Sequence, residues 1–372
     1  LAEITLALVL FSDASRVNLG ELRRDVGLPI RLLGIGLPLS VLLGGLAAAL
    51  LLGDLDWALA GFVGAALAPT DAALSAQVIT DDRIPLRLRR SLNVESGLND
   101  GIATPIVTVF LIIAATHLGL ETTDRETGTA LWELAGGVAV GAALGVVGAL
   151  MIRAASESRW MLSGARQVAA LAIAVCAFAM AQLLEVNGFI AAFVAGLAFG
   201  TTFARGPRGS ELEQVDELTE QGGQLLAFVV WFLFGASLVP IAVDDLDLAL
   251  VAYAIVSLTL VRMLPVTLSL LRSGLDRPST VFVGWFGPRG LASVVFALLA
   301  VEQLGETSPD VRRAVAAVAL TVLASVVLHG VSAGPGGRRY VQAESERAVD
   351  ADDDDEASVP RAVRYLRLGE DT

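Results

Sequence analysis

Polar side chains recur at the start of an apolar segment, residues 92–117, with the spacing of a helix. Glu95 and Asn99 are four residues apart, and so are Ser96 and Asp100, so that both pairs share one side of a helix. Burial in an apolar medium disfavours the charged form of a carboxylate, whereas a nearby cation favours it. One such carboxylate can hold a proton or a cation but not both well, which is the chemistry that an exchange of these ions requires.

Asp100 is the deepest acid of this segment. If the helix begins near residue 92, Asp100 lies about 12 Å along it at 1.5 Å per residue, close to the middle of a hydrocarbon core about 30 Å thick. Ionisable residues at such depth are rare and usually functional. An Asn-Asp-Gly run often marks a turn, but its position in an apolar segment, one turn after Glu95, favours an ion site.

Two other apolar segments, one in each half of the chain, are interrupted by a proline beside a charged residue. Pro69 is followed by Thr70 and Asp71, and Pro288 is followed by Arg289. Proline removes a helical donor and clashes with the preceding turn, and unwound backbone in a bilayer must be buried in protein or line a cavity. Proline kinks without a ligand role are common, but a charge beside each proline favours a transport site at the membrane midplane.

Glu95 needs a separate explanation, because two ionised acids so close together repel each other. A buried charge requires a partner, and Arg262, inside the apolar run 251–271, is the first candidate for a structural ion pair. Arg289 is the alternative partner, unless it compensates the helix ends where the broken helices cross. Glu95 could also face water at the mouth of its helix.

The composition indicates a membrane domain that positions these residues. Of 372 residues, 55% are hydrophobic, and the mean hydropathy is +0.68. The pattern predicts an all-α multi-pass protein with a membrane domain over 1–333 and an acidic, disordered cytoplasmic tail over 334–372. The eleven apolar segments are 1–11, 28–52, 57–79, 92–117, 130–152, 165–184, 187–203, 221–240, 246–271, 280–302 and 311–333.

The basic residues predict an orientation. All 26 are arginines; 15 of them lie in or beside the connections that follow odd-numbered segments, and three lie in the other connections. Because cytoplasmic connections are enriched in arginine, we expect the odd-numbered connections and the C-terminus in the cytoplasm. His117 and His329 lie near segment ends, and we interpret them as interfacial polar residues rather than pH sensors.

Several motifs make the chain resemble a known family, the electroneutral cation/proton antiporters of the NhaP type, which are related to eukaryotic sodium/proton exchangers. The resemblance extends from about residue 3 to 333. The matching stretches are 69–71, 95–101, 189–200, Arg262 and 285–290.

The resemblance implies an inverted-repeat fold with two crossed broken helices. Family members have about thirteen helices, and the eleven segments fit the last eleven, so two further helices are expected before residue 1. The implied core surrounds 57–117 and 246–333, and scaffold or interface helices surround 130–203. A homodimer embedded in lipid is also implied.

The resemblance also assigns roles to individual residues. It implies that Asp100 carries cation and proton in turn, and that Asn99 beside it, in place of a second acid, makes the exchange one-for-one and electroneutral. Asp13 stands where the family has another acid, and Ala72 stands where it usually has proline, which bears on ion choice. The residues assigned to the ion are Asp100, Asp71, Thr70, Ser96, Asn99 and Asp13. Glu95 and Arg262 form the implied ion pair.

The expected function is therefore secondary antiport of Na⁺, or also Li⁺, against H⁺ by alternating access in the cell membrane, serving pH homeostasis. The alternatives are K⁺/H⁺ antiport and a truncated, non-transporting paralogue that acts as a sensor. A channel would need a continuous polar pore, whereas the polar residues here cluster at one depth. An intramembrane protease would need a Ser-Lys or Ser-His pair at depth or a His-Glu-x-x-His motif, but the chain has no lysine and lacks this motif. No enzyme activity, cofactor or nucleic-acid partner is expected.

Overall fold

The computed structural model describes residues 1–17, 27–53, 55–120, 127–158, 161–206 and 209–358, and the regular structure within these ranges is helical. The longest helix, α13, closes the series, and α10 is irregular at Thr259. The helices are α1 (Ala2–Ser15), α2 (Gly27–Leu51), α3 (Trp57–Ala66), α4 (Ala76–Ile79), α5 (Leu86–His117), α6 (Thr127–Glu157), α7 (Ser163–Leu183), α8 (Gly188–Ala204), α9 (Leu212–Asp244), α10 (Leu248–Ser269), α11 (Arg277–Trp285), α12 (Leu291–Leu304) and α13 (Pro309–Ser358).

The described helices have the lengths that a membrane domain requires. Seven of them are long and apolar enough to cross a bilayer, and α3, α8 and α12 are shorter apolar helices. Each predicted apolar segment coincides with one helix or, for the two proline-interrupted segments, with a pair: α3 with α4, and α11 with α12. The prediction of an all-α multi-pass membrane protein is confirmed.

Both proline-interrupted segments are unwound where the prolines lie. Residues 67–75 separate α3 from α4, and residues 286–290 separate α11 from α12. Pro69 and Pro288 cannot donate a backbone hydrogen bond, and each ring would clash with the preceding turn of a continuous helix. The backbone groups released by this unwinding must find partners inside the protein.

The helix α12 lies in the interior of the described bundle. Val294, Val295, Ala297 and Ala300 are completely buried, and α12 packs against α3, α5 and α13. A helix that is apolar on all sides is stable only when it is surrounded. The second unwound stretch, which leads directly into α12, is therefore held in the centre of the protein.

The helix α1 packs closely on α8 because two glycines of α8 face it. A Cβ atom at Gly196 would overlap the backbone of Phe11, and one at Gly200 would overlap the backbone of Ser15. Small residues at such interfaces allow helix backbones to approach each other. This contact fixes the position of α1, which carries Asp13.

The last helix continues beyond the predicted end of the membrane domain. Residues 334–358 belong to α13, and Tyr340 is buried against the ring of Phe282, with its hydroxyl 2.8 Å from the hydroxyl of Ser279. The structure therefore differs from the prediction of disorder, because an aromatic side chain of the expected tail packs on α11. Residues 359–372 of the predicted tail lie outside the described residues.

Candidate functional site

The two unwound stretches cross, and Asp71 joins them. Its backbone N–H donates to the carbonyl oxygen of Pro288 over 2.8 Å. Its carboxylate accepts hydrogen bonds from the backbone N–H of Leu291 at 3.0 Å and of Ala73 at 2.8 Å. A carboxylate at the first turn of a helix satisfies an orphan N–H and complements the helix dipole. Asp71 thus caps α12 and fixes it to the first unwound stretch.

Arg289 occupies the crossing itself. Its side chain is completely buried, and Nη1 donates to the carbonyl oxygens of Ala68 at 2.7 Å and Pro69 at 3.3 Å. These carbonyls follow the end of α3 and have no helical partner, so a cation complements them. Of the two alternatives for Arg289, the structure shows the compensation of a helix end.

Glu95 and Arg262 form a bidentate ion pair between α5 and α10. The distances are 2.5 Å from Nη1 to Oε1 and 3.0 Å from Nη2 to Oε2. The residues are only 3% and 5% exposed, so each charge depends on the other for compensation. Neither side chain lines the cavity described below, and the pair connects two helices beside the site.

Three neutral polar side chains form a hydrogen-bonded group next to the crossing. The Thr70 hydroxyl lies 3.0 Å from the Ser96 hydroxyl, and Asn99 Nδ2 donates to Thr70 Oγ1 over 2.7 Å. All three residues are buried, and Asn99 Oδ1 has no hydrogen-bond partner among the described residues. This group offers hydroxyl and amide oxygens of the kind that hard cations prefer.

Three carboxylates line one cavity of about 540 Å³, together with Thr70 and Ser96. Asp71 reaches it from the first unwound stretch, Asp100 from α5 and Asp13 from α1 on the opposite wall. All three acids are partly exposed. Within the described residues, neither the Asp100 nor the Asp13 carboxylate has a hydrogen bond or an ion pair, so these two acids are available to a ligand, and Asp100 is the one on the same helix as Ser96 and Asn99.

The cavity extends from the carboxylates towards one end of the bundle. Its outer lining includes Arg16, Arg87 and Arg90, and this end is called the arginine-rich end below. Beyond Asp100 in the other direction, buried apolar residues fill the space between the helices. Phe62 and Leu111 are among them, with exposures of 0% and 2%. In the part of the chain that the structure describes, the cavity therefore leads from the carboxylates to the arginine-rich end and not to the opposite one.

Asp216 is a buried acid that the sequence interpretation did not single out. It lies in α9, where its Oδ2 accepts hydrogen bonds from Ser12 at 2.7 Å, Ser15 at 3.0 Å and Arg16 Nε at 3.2 Å. Its donors flank Asp13 on α1, so Asp216 fixes the rotation of that helix. The predicted segment starts at residue 221, which leaves Asp216 in a connection, whereas α9 begins at Leu212. The spacing of Ser12, Ser15 and Arg16 places them on one side of a helix, and this pattern was the sequence signal for an acidic partner such as Asp216.

The structure brings most of the predicted ion residues together. Five of them line the cavity, and Asn99 lies behind Thr70. Pro69, Pro288 and Arg289 form the crossing of the unwound stretches. Glu95 and Arg262 lie next to this group as an ion pair. The five cavity residues are Asp13, Thr70, Asp71, Ser96 and Asp100.

Comparison with known proteins shows the family of this chain. A family model described as "Sodium/hydrogen exchanger, transmembrane" matches residues 1–337. The Na(+)/H(+) antiporter NhaP of Pseudomonas aeruginosa is 30% identical over 347 residues, which cover 89% of this chain and 78% of that protein. Na(+)/H(+) antiporter 2 of Zygosaccharomyces rouxii is 29% identical over 265 residues, 67% of this chain. The chain matches only 32% of the length of this yeast relative.

A solved structure has the same fold. The sodium proton antiporter MjNhaP1 of Methanocaldococcus jannaschii superposes with a TM-score of 0.75, covering 91% of this chain and 85% of that protein at 20% identity. Some further relatives carry the name K(+)/H(+) antiporter. The fold predicted from the resemblance is confirmed.

Proposed function

The chain belongs to the sodium/hydrogen exchanger family of transmembrane proteins, and from this premise we propose that it exchanges a monovalent cation for H⁺ across a membrane. Na⁺ is the first candidate and Li⁺ the second. The family consists of transporters, and no enzymatic step or cofactor is needed for such an exchange. The cation and the proton are cargo.

The unpaired Asp100 carboxylate is the observation that carries this proposal. It lies half-way along α5, at the inner end of the cavity, and no cation of the described protein compensates its charge. Such a group is neutralised either by a proton or by a bound cation. The two ions therefore compete for Asp100, and this competition couples their movements.

Oxygen atoms around Asp100 supply the remaining ligands of the cation. Thr70 and Ser96 present hydroxyl oxygens to the cavity, and Asp71 presents a carboxylate that is held in place by backbone N–H groups. Asp13 adds a third carboxylate, from α1. Hard cations prefer such oxygen ligands, and fixed positions reduce the cost of ordering the site.

Alternating access is the transport mechanism that the cavity supports best. The site lies between α1 on one wall and α5 with the unwound stretches on the other, and the cavity that the described residues line extends to the arginine-rich end. A change in the relative position of the two walls would close this end and open the opposite one. Because an uncompensated charge is costly in the closed apolar environment, the change occurs when Asp100 holds a proton or a cation.

One carboxylate that changes partner exchanges one positive charge for another. Asn99, next to Asp100, cannot be ionised, so it adds no second proton to the cycle. An exchange of one cation for one proton moves no net charge, and we infer that transport is electroneutral.

Exchange of K⁺ is the second candidate, because some relatives carry the name K(+)/H(+) antiporter. The oxygen ligands around Asp100 accept any alkali cation, so the same site and cycle apply. The assay below includes K⁺ for this reason.

We place the protein in the cell membrane with the arginine-rich end and the C-terminus in the cytoplasm, because arginine-rich connections favour that side. The cavity then opens to the cytoplasm. Exposed apolar side chains such as Phe228 and Phe232 on α9, 70% and 71% exposed, support contact with lipid or with a second copy in a homodimer.

Flux measurements in proteoliposomes test the proposal. A pH gradient is imposed, Na⁺, Li⁺ or K⁺ is added in turn, and internal pH is followed for the wild type and for Asp100→Asn. The control is Glu185→Gln, which changes an exposed acid between α7 and α8. We expect cation-dependent proton movement in the wild type and the control, and none in Asp100→Asn. Undiminished exchange in Asp100→Asn would exclude Asp100 as the carrier, and a rate that follows the membrane voltage would exclude electroneutral exchange.

A further inference from the structure

The helix α9 packs on two different groups of helices along its length. Its first part, Leu212–Leu233, packs mainly on α1 and α7, and Val215 belongs to an apolar cluster with residues of α1, α6, α7 and α8. From Phe234 onwards, α9 packs on α12 and α13 instead. Leu238 and Ile241 are buried in the cluster that contains residues of α3, α12 and α13. The change of packing partner therefore lies near Phe234.

These two sets of partners lie on opposite sides of the ion site. The helices α1, α6, α7 and α8 are called the scaffold group below, and α2, α3, α5, α10, α12 and α13 are called the core group. Asp13 reaches the cavity from the scaffold group, whereas Asp71 and Asp100 reach it from the core group. If the two walls of the cavity change their relative position, the two ends of α9 must follow different groups.

The helix α9 is widened at the point where its packing changes. Residues Phe234–Leu238 form a π-helical turn, in which the backbone N–H of Val239 donates to the carbonyl oxygen of Phe234, five residues before it. Pro240 explains this turn, because it has no N–H for the carbonyl oxygen of Ala236 and its ring would clash with that carbonyl in a regular α-helix. Such widened turns and prolines are the positions at which helices bend.

The outer side of the turn carries small side chains without close neighbours. Gly235, Ala236 and Ser237 are exposed, and a Cβ atom at Gly235 would have no atom within 4 Å. No packing contact therefore requires glycine at this position, although glycine stabilises a helix less than alanine does. On the inner side, Phe234 and Leu238 are buried in the core group. The turn is thus anchored on one side and free to change its backbone angles on the other.

A second π-helical turn in the chain provides a comparison. It comprises Leu32–Gly36 in α2 and begins six residues before Pro38, as the turn in α9 begins six residues before Pro240. However, α2 packs on α3, α5 and α10, which all belong to the core group. Within the described residues, it is in α9 that a π-helical turn coincides with a change from one group to the other.

We propose that residues 234–238 are the hinge of transport, at which α9 bends when the scaffold and core groups move relative to each other around the ion site. Hinges are short stretches that absorb a change in backbone angles while the elements on both sides stay intact. The turn holds no ion, so it affects the rate of the conformational step and not the affinity for the cation. This inference rests on the proposed function, because the movement is that of alternating access.

The substitution Gly235→Ala tests the hinge with the smallest change. The added methyl group meets no other atom, so the protein should fold as before, while the turn becomes stiffer. We expect a maximal exchange rate lower by about twofold to fivefold, the rate equivalent of the difference in helix stability between glycine and alanine, with an unchanged apparent affinity for the cation.

Two matched controls separate the hinge from a general effect of alanine. A Cβ atom at Gly34 or Gly222 also has no atom within 4 Å. Gly34 lies in the π-helical turn of α2, and Gly222 lies in the part of α9 that packs on the scaffold group. We expect wild-type rates for Gly34→Ala and Gly222→Ala. Equal rates for Gly235→Ala and Gly222→Ala, or a loss of cation affinity alone in Gly235→Ala, would contradict the proposal.

A covalent bridge across the turn provides a stronger test. Phe232→Cys with Ala236→Cys places two exposed thiols four residues apart, and a short bifunctional alkylating reagent joins them and holds the turn in one shape. Leu225→Cys with Val229→Cys is the control pair, since both positions are exposed in the part of α9 before the turn. Both pairs are made in a Cys176→Ala background, because Cys176 is exposed. The same protein is measured in proteoliposomes before and after bridging, so a loss of rate cannot come from misfolding.

We expect bridging at 232 and 236 to lower the exchange rate by about tenfold or more, which corresponds to about 1.4 kcal/mol or more in the barrier, and bridging at 225 and 229 to leave the rate unchanged. Proton release on addition of Na⁺, Li⁺ or K⁺ in detergent should persist after either bridge, because the ion site is intact. Undiminished exchange after bridging at 232 and 236, or loss of proton release together with exchange, would overturn the hinge. If the unbridged protein shows no cation-dependent proton movement, the proposed function fails instead.

Discussion

The backbone N–H of Asp71 and the carbonyl oxygen of Pro288 are hydrogen-bonded over 2.8 Å, although the two residues belong to opposite halves of the chain. In continuous helices both groups would bond within their own segments. The prolines prevent this, and backbone groups of the two unwound stretches form a hydrogen bond with each other instead. The ion site thus depends on unwound backbone, and this backbone is unwound because both helices are interrupted where they cross.

Gly290 should be irreplaceable at this crossing. A Cβ atom there would overlap the Asp71 carboxylate, so Gly290→Ala must displace either the carboxylate or α12. We expect exchange to fall by about tenfold or more, the effect of misplacing a binding group by about 1 Å. Gly330→Ala is the control, because nothing lies within 4 Å of its added Cβ. Equal flux in both variants would show that the position of Asp71 is unimportant.

The Glu95–Arg262 pair should stabilise the fold rather than carry ions. Glu95→Gln leaves the Arg262 charge buried without compensation, which costs about 3–5 kcal/mol, so the variant should unfold at a lower temperature in detergent. Replacing both residues with apolar ones, as in Glu95→Leu with Arg262→Met, should recover most of this loss. Asp81→Asn, which breaks an ion pair to the exposed Arg83, should change little. A Glu95→Gln protein as stable as the wild type would contradict the structural role.

Asp216 should act on the cation through Asp13. Asp216→Asn weakens the hydrogen bonds to Ser12, Ser15 and Arg16, so α1 is less firmly oriented. The apparent affinity for the cation should fall by about threefold to tenfold, equivalent to roughly 1 kcal/mol, with a smaller change in maximal rate. Glu213→Gln is the control, since Glu213 is an exposed acid of the same helix that does not line the cavity. A loss confined to the maximal rate would argue against action through Asp13.

Much of the fold could be predicted from the sequence, because hydrophobic length and proline position are local properties. The eleven segments and the two interrupted helices follow from these alone. The sequence could not determine which groups Arg289 binds, because Glu95 and the helix ends could both compensate its charge. Only the three-dimensional crossing places Arg289 on Ala68 and Pro69 and leaves Glu95 to Arg262.

Other features depend on contacts between residues that are distant in the sequence, and no local sequence pattern indicates such contacts. The polar start of α9 resembles a connection, yet it forms a helix because Asp216 is satisfied by donors from α1. The glycine-rich run before Tyr340 resembles the end of a helix, yet α13 continues there because Tyr340 packs on Phe282. In the sequence His329 resembles an interfacial residue, because the sequence does not show its partners. The fold brings Trp285 and Ser325 to it.

If cation and proton share the Asp100 carboxylate, the binding of one must displace the other, and this displacement can be measured as proton release on cation binding. Purified protein in weakly buffered detergent solution at a pH where exchange is active is mixed with Na⁺, and then with Li⁺ and K⁺, while a pH indicator follows released protons. The wild type is predicted to release protons as the transported cation binds, and Asp100→Asn to release none. Cation binding without proton release, or equal release from Asp100→Asn, would contradict a site on Asp100 that cation and proton share.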